Sequence, residues 1–234
     1  MNLSPQTELS TILARQPKCR LLPFDPDSEP CVLFDFSAAN PAALNLDTGD
    51  IKAFKSFVNS SLAAAGSRIG LGGYCESRVI YRHSSLFEGS ALRDVHLGLD
   101  LWTAAGTPVL APFAATVYSL ADNAGVGNYG PTIILRHELE ACSFFTLYGH
   151  LSAESLGGKS IGQSLAVGEV FAEIGDAPLN GNWPPHLHFQ IMQELVGNGG
   201  DYPGVCAAAD LPKYRALCPD PNLVLKLRIL GPQA

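Results

Sequence analysis

Four histidines and one aspartate of this 234-residue chain occur in a pattern that could do chemistry. The segments are His96-Leu-Gly-Leu-Asp100, Tyr148-Gly-His150-Leu151 and His186-Leu-His188-Phe189. Histidine is the commonest metal ligand, and aspartate is a good companion for zinc. Two histidines and one carboxylate leave a fourth tetrahedral position open for water, the arrangement of a hydrolytic rather than a closed structural zinc site. Histidines outside the ligand set could carry protons, because imidazole titrates near neutral pH.

The elements that hold these residues must satisfy a distance condition. Side chains alternate along a strand, so His186 and His188 point the same way, roughly 6.6 Å apart at Cα. One of them can bind a metal while the other stands beside it. His96 and Asp100 also share a face, but a straight strand would separate them by roughly 13 Å. That is long for one ion with bonds near ~2 Å, so the backbone must bend between them. Gly98 lies midway, where a bulge or kink costs least. Leu97, Leu99, Leu101, Leu187 and Phe189 flank the polar positions, as expected of a site mounted on packed strands.

From Val95 onward, short β runs separated by turns follow one another at 95–103, 107–110, 114–121, 131–138, 143–151, 169–174 and 186–193. Such spacing is a signature of all-β sandwiches and barrels. The first 90 residues differ. Ile51, Phe54, Val58, Leu62 and Ala65 form one apolar stripe, predicting a helix from Asp50 to Ala65 with Gly66 as its stop. CVLFDF (31–36) reads as a short strand, and 68–81 as strand and turn. In the tail, a short helix is expected near 211–217, and the apolar run 223–230 fits either strand or helix. The expected organisation is an N-terminal α+β appendage (1–90), a β core (91–195) and a C-terminal extension packed on it (196–234). The helix stripe must be buried somewhere. The expectation is that the appendage packs beside the β domain and partly walls its groove.

The set HLGLD, LYGHL and HLHFQ, in this order and at these separations, resembles the lysostaphin-type zinc metalloendopeptidases, peptidoglycan hydrolases that cut peptide cross-bridges. Gly106-Thr-Pro-Val-Leu-Ala-Pro112, Ala115-Thr-Val117 and Gly168-Glu-Val with Ile174-Gly175 extend the likeness over about residues 91–194. The resemblance implies a mostly β fold, a small antiparallel sheet or sandwich of duplicated-hybrid-motif type, with a groove over one zinc ion per chain. It implies His96, Asp100 and His188 as ligands, with His150 and His186 as catalytic histidines beside the bound water. The implied activity is zinc-dependent hydrolysis of peptide or amide bonds: a zinc-bound water attacks the carbonyl, and the two histidines act as acid/base and oxyanion helpers. Which of the two is the base stays open. The implied partner is a peptide, a muropeptide or peptidoglycan. Tyr129, in the loop before 131–138, is a candidate substrate-binding residue of the groove. His137 reads as structural, and His83 has no partner motif. GGYCESRVIYRHSSLF (72–87) resembles, more weakly, a branch fused to aminotransferase or kinase domains in cytoplasmic proteins. In that branch the substrate need not be intact wall.

Composition narrows the alternatives. With 47% hydrophobic and 16% charged residues, global disorder is excluded. A net charge of -7 without any Lys/Arg run speaks against nucleic acid and anionic membranes as partners. No apolar run approaches the ~18 residues of a membrane span. The N-terminus MNLSPQTELSTILARQPKCR lacks the basic and apolar regions of a secretory signal, so a cytoplasmic location is expected, or a periplasmic or extracellular one if the chain has been trimmed. The six cysteines are expected as free thiols, Cys206–Cys218 being the pair to bridge otherwise. Gly125–Gly130 satisfies GxGxxG but is followed by Pro131 and a β run rather than a helix. Ala153 replaces the first glycine of a phosphate loop, and Ala141 the second histidine of HExxH. A non-catalytic regulatory or binding module on the same fold is the competing reading, and all five site positions being filled argues against it. A lipoyl- or biotin-type carrier needs an exposed lysine in its motif, and Lys159 lacks that setting.

Overall fold

Residues 5–81, 91–140 and 142–231 are described by the structure, a computed structural model. His83 and the 90/91 boundary lie outside or at the edge of these residues. In chain order the elements are α1 (Pro5–Arg15), β1 (Val32–Phe34), α2 (Pro41–Leu44), α3 (Ile51–Ala64), β2 (Gly70–Gly72), β3 (Arg93–His96), β4 (Leu99–Trp102), β5 (Pro108–Leu110) and β6 (Ala115–Asn123). They continue with β7 (Gly130–Leu139), β8 (Cys142–Gly149), β9 (Ser164–Leu165), β10 (Val170–Glu173), β11 (His186–Met192), β12 (Val205–Ala207), α4 (Leu211–Leu217) and α5 (Asn222–Leu225).

The fold is mostly β, and antiparallel pairing dominates it. An eight-stranded sheet has the order β1-β2-β4-β11-β8-β7-β6-β9, with only β1 and β2 parallel. β5 pairs with β10 and β3 with β12 in two small ribbons. β11 lies at the centre of the large sheet and is buried along its whole length, as is β4 beside it. Their register sets His188 opposite Asp100 and His186 opposite Trp102. Directly opposed residues on one face have neighbouring side chains, so sheet pairing alone brings positions 88 residues apart into contact.

The run expected at 95–103 divides in two. β3 ends at His96 and pairs with β12, whereas β4 starts at Leu99 and joins the large sheet. β9 and β12 are short strands that the hydropathy pattern does not announce. α3 forms where the apolar stripe predicts. Asp50 caps it, accepting from the backbone N–H groups of Lys52 and Ala53. Gly66, at φ +59°, closes it with a Ser67 N–H to Leu62 C=O bond, the Schellman arrangement. α1 is a second N-terminal helix that the sequence reading did not predict. Its Leu9 and Leu13 enter the main core. α4 covers the predicted 211–217, and the run 223–230 divides between α5 and a 3-10 turn at Arg228–Leu230.

The N-terminal third is joined to the β core by pairing and by packing. β1 and β2 extend the large sheet next to β4. Phe36 and Phe54 pack on Trp102, and Phe54 also meets the edge of Trp183. Lys55 of α3 forms an ion pair with Asp176. All six cysteines are free. Among the described residues, no helix is long and apolar enough to cross a membrane.

Candidate metal centre

β3, β4 and β11 bring three donor atoms to one point. His96 Nε2 lies 2.9 Å from His188 Nδ1 and 3.2 Å from Asp100 Oδ1, and His188 Nδ1 lies 3.1 Å from Asp100 Oδ1. A tetrahedral ion with bonds near ~2.0 Å spaces its ligand atoms by about 3.3 Å, so the triangle has the size of one face of such a shell. All three side chains are buried.

Hydrogen bonds on the far side of each ring decide what the near atoms can do. His96 Nδ1 lies 2.9 Å from the Gly73 carbonyl, which can only accept, so the proton sits on Nδ1 and Nε2 carries a lone pair. Gln190 donates its amide N–H to the Pro203 carbonyl, which turns its Oε1 toward His188 Nε2 at 3.0 Å. His188 is therefore protonated on Nε2, and its Nδ1 is also a lone pair. Two lone pairs and a carboxylate oxygen facing one another are mutually repulsive until a cation lies between them. The donor set thus fits a divalent metal of borderline softness.

Gly98 sits at the expected bend between β3 and β4, and it also gives the triangle room. A Cβ there would lie 2.5 Å from His188 Cε1 and 2.8 Å from the Phe189 carbonyl oxygen. The glycine leaves room for the imidazole at the point where the chain turns from β3 into β4, which join different sheets.

Electrostatics favours the metal-ready protonation state. Burial, with Arg78 nearby, pushes the His96 pKa down to about 4 and keeps the ring neutral. Burial opposes ionisation of Asp100, but the buried guanidinium of Arg78 on Oδ2 outweighs it and holds the carboxyl well below the usual range. Arg78 donates to Asp100 Oδ2 through Nη1, and to Glu76 through Nε at 2.7 Å.

His150 and His186 stand beside the triangle, their ring centroids 4.2 Å apart. Each donates Nδ1–H to a carbonyl at 2.8 Å, His150 to Asn180 and His186 to Pro184, leaving Nε2 as the acceptor. Burial lowers the His186 pKa to about 4 and holds His150 well below 6.5. His150 has φ +62°, in the left-handed region, at the end of β8. Its N–H donates to the Tyr129 carbonyl and its own carbonyl accepts from Gly175, both at 2.8 Å. Non-glycine residues held in this region cluster at functional sites. Tyr129 is buried, its hydroxyl bonded to the Tyr202 carbonyl at 3.1 Å, with its ring 5.2 Å from that of His188. A cavity of about 200 Å³ opens on this group, and Tyr81, Trp102, Tyr129 and Trp183 help to line it. All six sequence-predicted residues, His96, Asp100, Tyr129, His150, His186 and His188, border this cavity.

Residues 94–200, a little under half of the chain, match the model of Peptidase family M23. The M23 match contains all six of these residues and ends before β12. An "Uncharacterized metalloprotease" of Haemophilus influenzae is 36% identical over 97 residues, 41% of this chain and 18% of that protein. The chain therefore spans less than a fifth of that relative's length. The catalytic domain of lysostaphin from Staphylococcus simulans aligns with 52% of this chain and 80% of its own, at 22% identity and a TM-score of 0.35. A zinc-containing peptidase from Vibrio cholerae aligns with 42% of this chain and 27% of its own, at 25% identity and a TM-score of 0.32.

Arg78, Trp102 and Gly73 belong to the site and were not singled out from the sequence. A signal for one of them existed. Arg78 is followed directly by the apolar run Val79-Ile80-Tyr81, and a buried arginine requires a carboxylate partner.

Proposed function

We propose that the chain is a zinc-dependent hydrolase of peptide bonds acting on peptidoglycan-derived or similar short peptides. The observation that carries this reading is the convergence of His96 Nε2, His188 Nδ1 and Asp100 Oδ1 within 3.2 Å of one another, with two further neutral imidazoles beside them. Match to M23 and the metalloprotease name of the Haemophilus relative support it. The ligand set would be His96, Asp100 and His188, holding one zinc ion. When bound, zinc polarises a carbonyl and lowers the pKa of a coordinated water to about 7.

The chain's own residues supply proton handling. His150 and His186 have Nδ1 committed to carbonyls, so the acceptor Nε2 is the atom that takes a proton from the nucleophile. Once protonated, the same N–H can be passed to the departing amine or can donate to an oxyanion. Tyr129 bounds the cavity and backs His188 rather than offering its hydroxyl, which the Tyr202 carbonyl already holds. Trp183, Tyr81 and Trp102 exclude water from the cavity wall, which strengthens electrostatic interactions inside it.

Hydrolysis of defined muropeptides and short peptides by the zinc-loaded chain, followed by mass spectrometry, tests this reading. Cleavage at a peptide bond, lost on chelation and restored by zinc, is expected. A zinc-loaded chain that cleaves no peptide or amide would overturn it.

A further inference from the structure

The M23 match begins at residue 94, yet two of the three converging side chains are held from residues 73–78. Arg78 is completely buried and reaches four partners. Its Nη1 donates to Asp100 Oδ2 and, at 3.1 Å, meets the Tyr81 hydroxyl; its Nε donates to Glu76 Oε2 at 2.7 Å; and its Nη2 donates to the Gly73 carbonyl at 3.2 Å. Glu76 is anchored in turn, its Oε1 accepting the Phe36 backbone N–H at 2.7 Å. The Gly73 carbonyl is shared, for it also accepts His96 Nδ1–H. Gly72 makes this crossing possible, since a Cβ there would lie 2.7 Å from Arg78 Nη2.

We infer that Arg78 is a positioning residue of the metal centre, fixing Asp100 as a one-oxygen ligand, so that the segment Gly73–Arg78 completes a site the M23 stretch alone leaves unanchored. This rests on the metal-site reading above. Asp100 has two oxygens, and a carboxylate free to rotate could present either or both to an ion. With Oδ2 occupied by the guanidinium, only Oδ1 faces His96 and His188. A planar fork with several donors can bond Asp100, Glu76 and Gly73 at once, which an ammonium cannot do in the same geometry.

The test uses the full chain, with zinc affinity measured by chelator competition, and cobalt(II) loading to read coordination from the visible spectrum. Partners of metal ligands typically contribute about 10- to 100-fold in affinity, so Arg78→Gln should weaken zinc binding by that amount. It should also reduce the intensity of the cobalt bands, as the freed carboxylate adds its second oxygen and raises the coordination number. Arg78→Lys should fall between it and the parent. Circular dichroism of each metal-free variant separates lost folding from lost positioning. Should Arg78→Gln fail to fold, Glu76→Gln, which loosens the guanidinium while keeping the charge on Arg78, should still weaken zinc and change the cobalt spectrum. Folded variants with parental zinc affinity and an unchanged cobalt spectrum would refute the inference while leaving the metal site standing. A parent chain that binds neither metal would sink the metal-site reading itself.

Discussion

The imidazole of His186 lies against the indole of Trp102, with ring centroids 4.0 Å apart and planes 16° from parallel. The two are cross-strand partners on β11 and β4, and Trp102 is also packed by Phe36 and Phe54. The orientation of one site histidine is thereby tied to aromatic packing that begins in α3. Trp102→Leu keeps an apolar side chain but removes the flat surface. The loss expected is at least the ~0.5–1.5 kcal/mol of an aromatic pair in stability, together with a fall in turnover at full zinc occupancy. Unchanged turnover in a folded, zinc-loaded variant would show that the stack does not position His186.

Ligands and proton carriers should separate in metal content. His96→Ala, Asp100→Ala and His188→Ala are expected to lose tight zinc binding. His150→Ala and His186→Ala should keep one zinc per chain while hydrolysis drops by about 10²- to 10⁴-fold, the usual worth of general acid–base help. Elemental analysis after dialysis, beside the peptide assay, checks both. Zinc lost from both His150→Ala and His186→Ala would mean that the roles are misassigned.

Gly98 is required for space. Gly98→Ala drives a methyl group into the His188 ring and the Phe189 carbonyl, at 2.5 and 2.8 Å. Overpacking of this kind costs about 1–3 kcal/mol. Because the displaced group is a ligand, zinc affinity should fall with stability. A variant that melts like the parent and binds zinc equally well would contradict this account of the glycine.

His137 makes acid stability measurable away from the metal. It is wholly buried, with Nδ1 3.1 Å from the Ala114 carbonyl and Nε2 2.7 Å from the Thr146 hydroxyl. Burial pushes its pKa down to about 4, against ~6.5 in an unfolded chain. Between those values the unfolded state binds more protons than the native one, so stability is full above pH ~6.5 and declines on acidification toward pH ~4. The contribution is at most roughly 3 kcal/mol. In urea titrations at pH 7.5 and pH 5, the stability gap between parent and His137→Gln should narrow at the lower pH. A gap of constant size would rule out His137 as a source of the acid sensitivity.

Several features were legible because they are local. Helix α3 follows from a 3.6-residue stripe with a capping aspartate before it and a glycine behind it. The β runs follow from short apolar segments cut by Gly and Pro. The HxH spacing within β11 follows from strand alternation, which puts His186 and His188 on one face. The His96–Asp100 spacing even announced its own difficulty, a separation too long for one ion unless the chain changed direction.

By itself, then, the sequence determined which residue types were available to a metal, the β character of residues 95–193 and the amphipathic helix before them. Tertiary structure alone decided which atoms meet. The break after His96 is a change of pairing partner, from β12 to the large sheet, and pairing partners are not encoded in the hydropathy of a single strand. Arg78 lies 22 residues from Asp100 and reaches it because β2 pairs with β4 and residues 75–78 bond along β3. Trp102 and His186 meet only through the register of β4 on β11. Periodicity specifies which face of a strand is buried; the choice of neighbour is made by the packing of the whole sheet, where contacts between distant segments outweigh local preference.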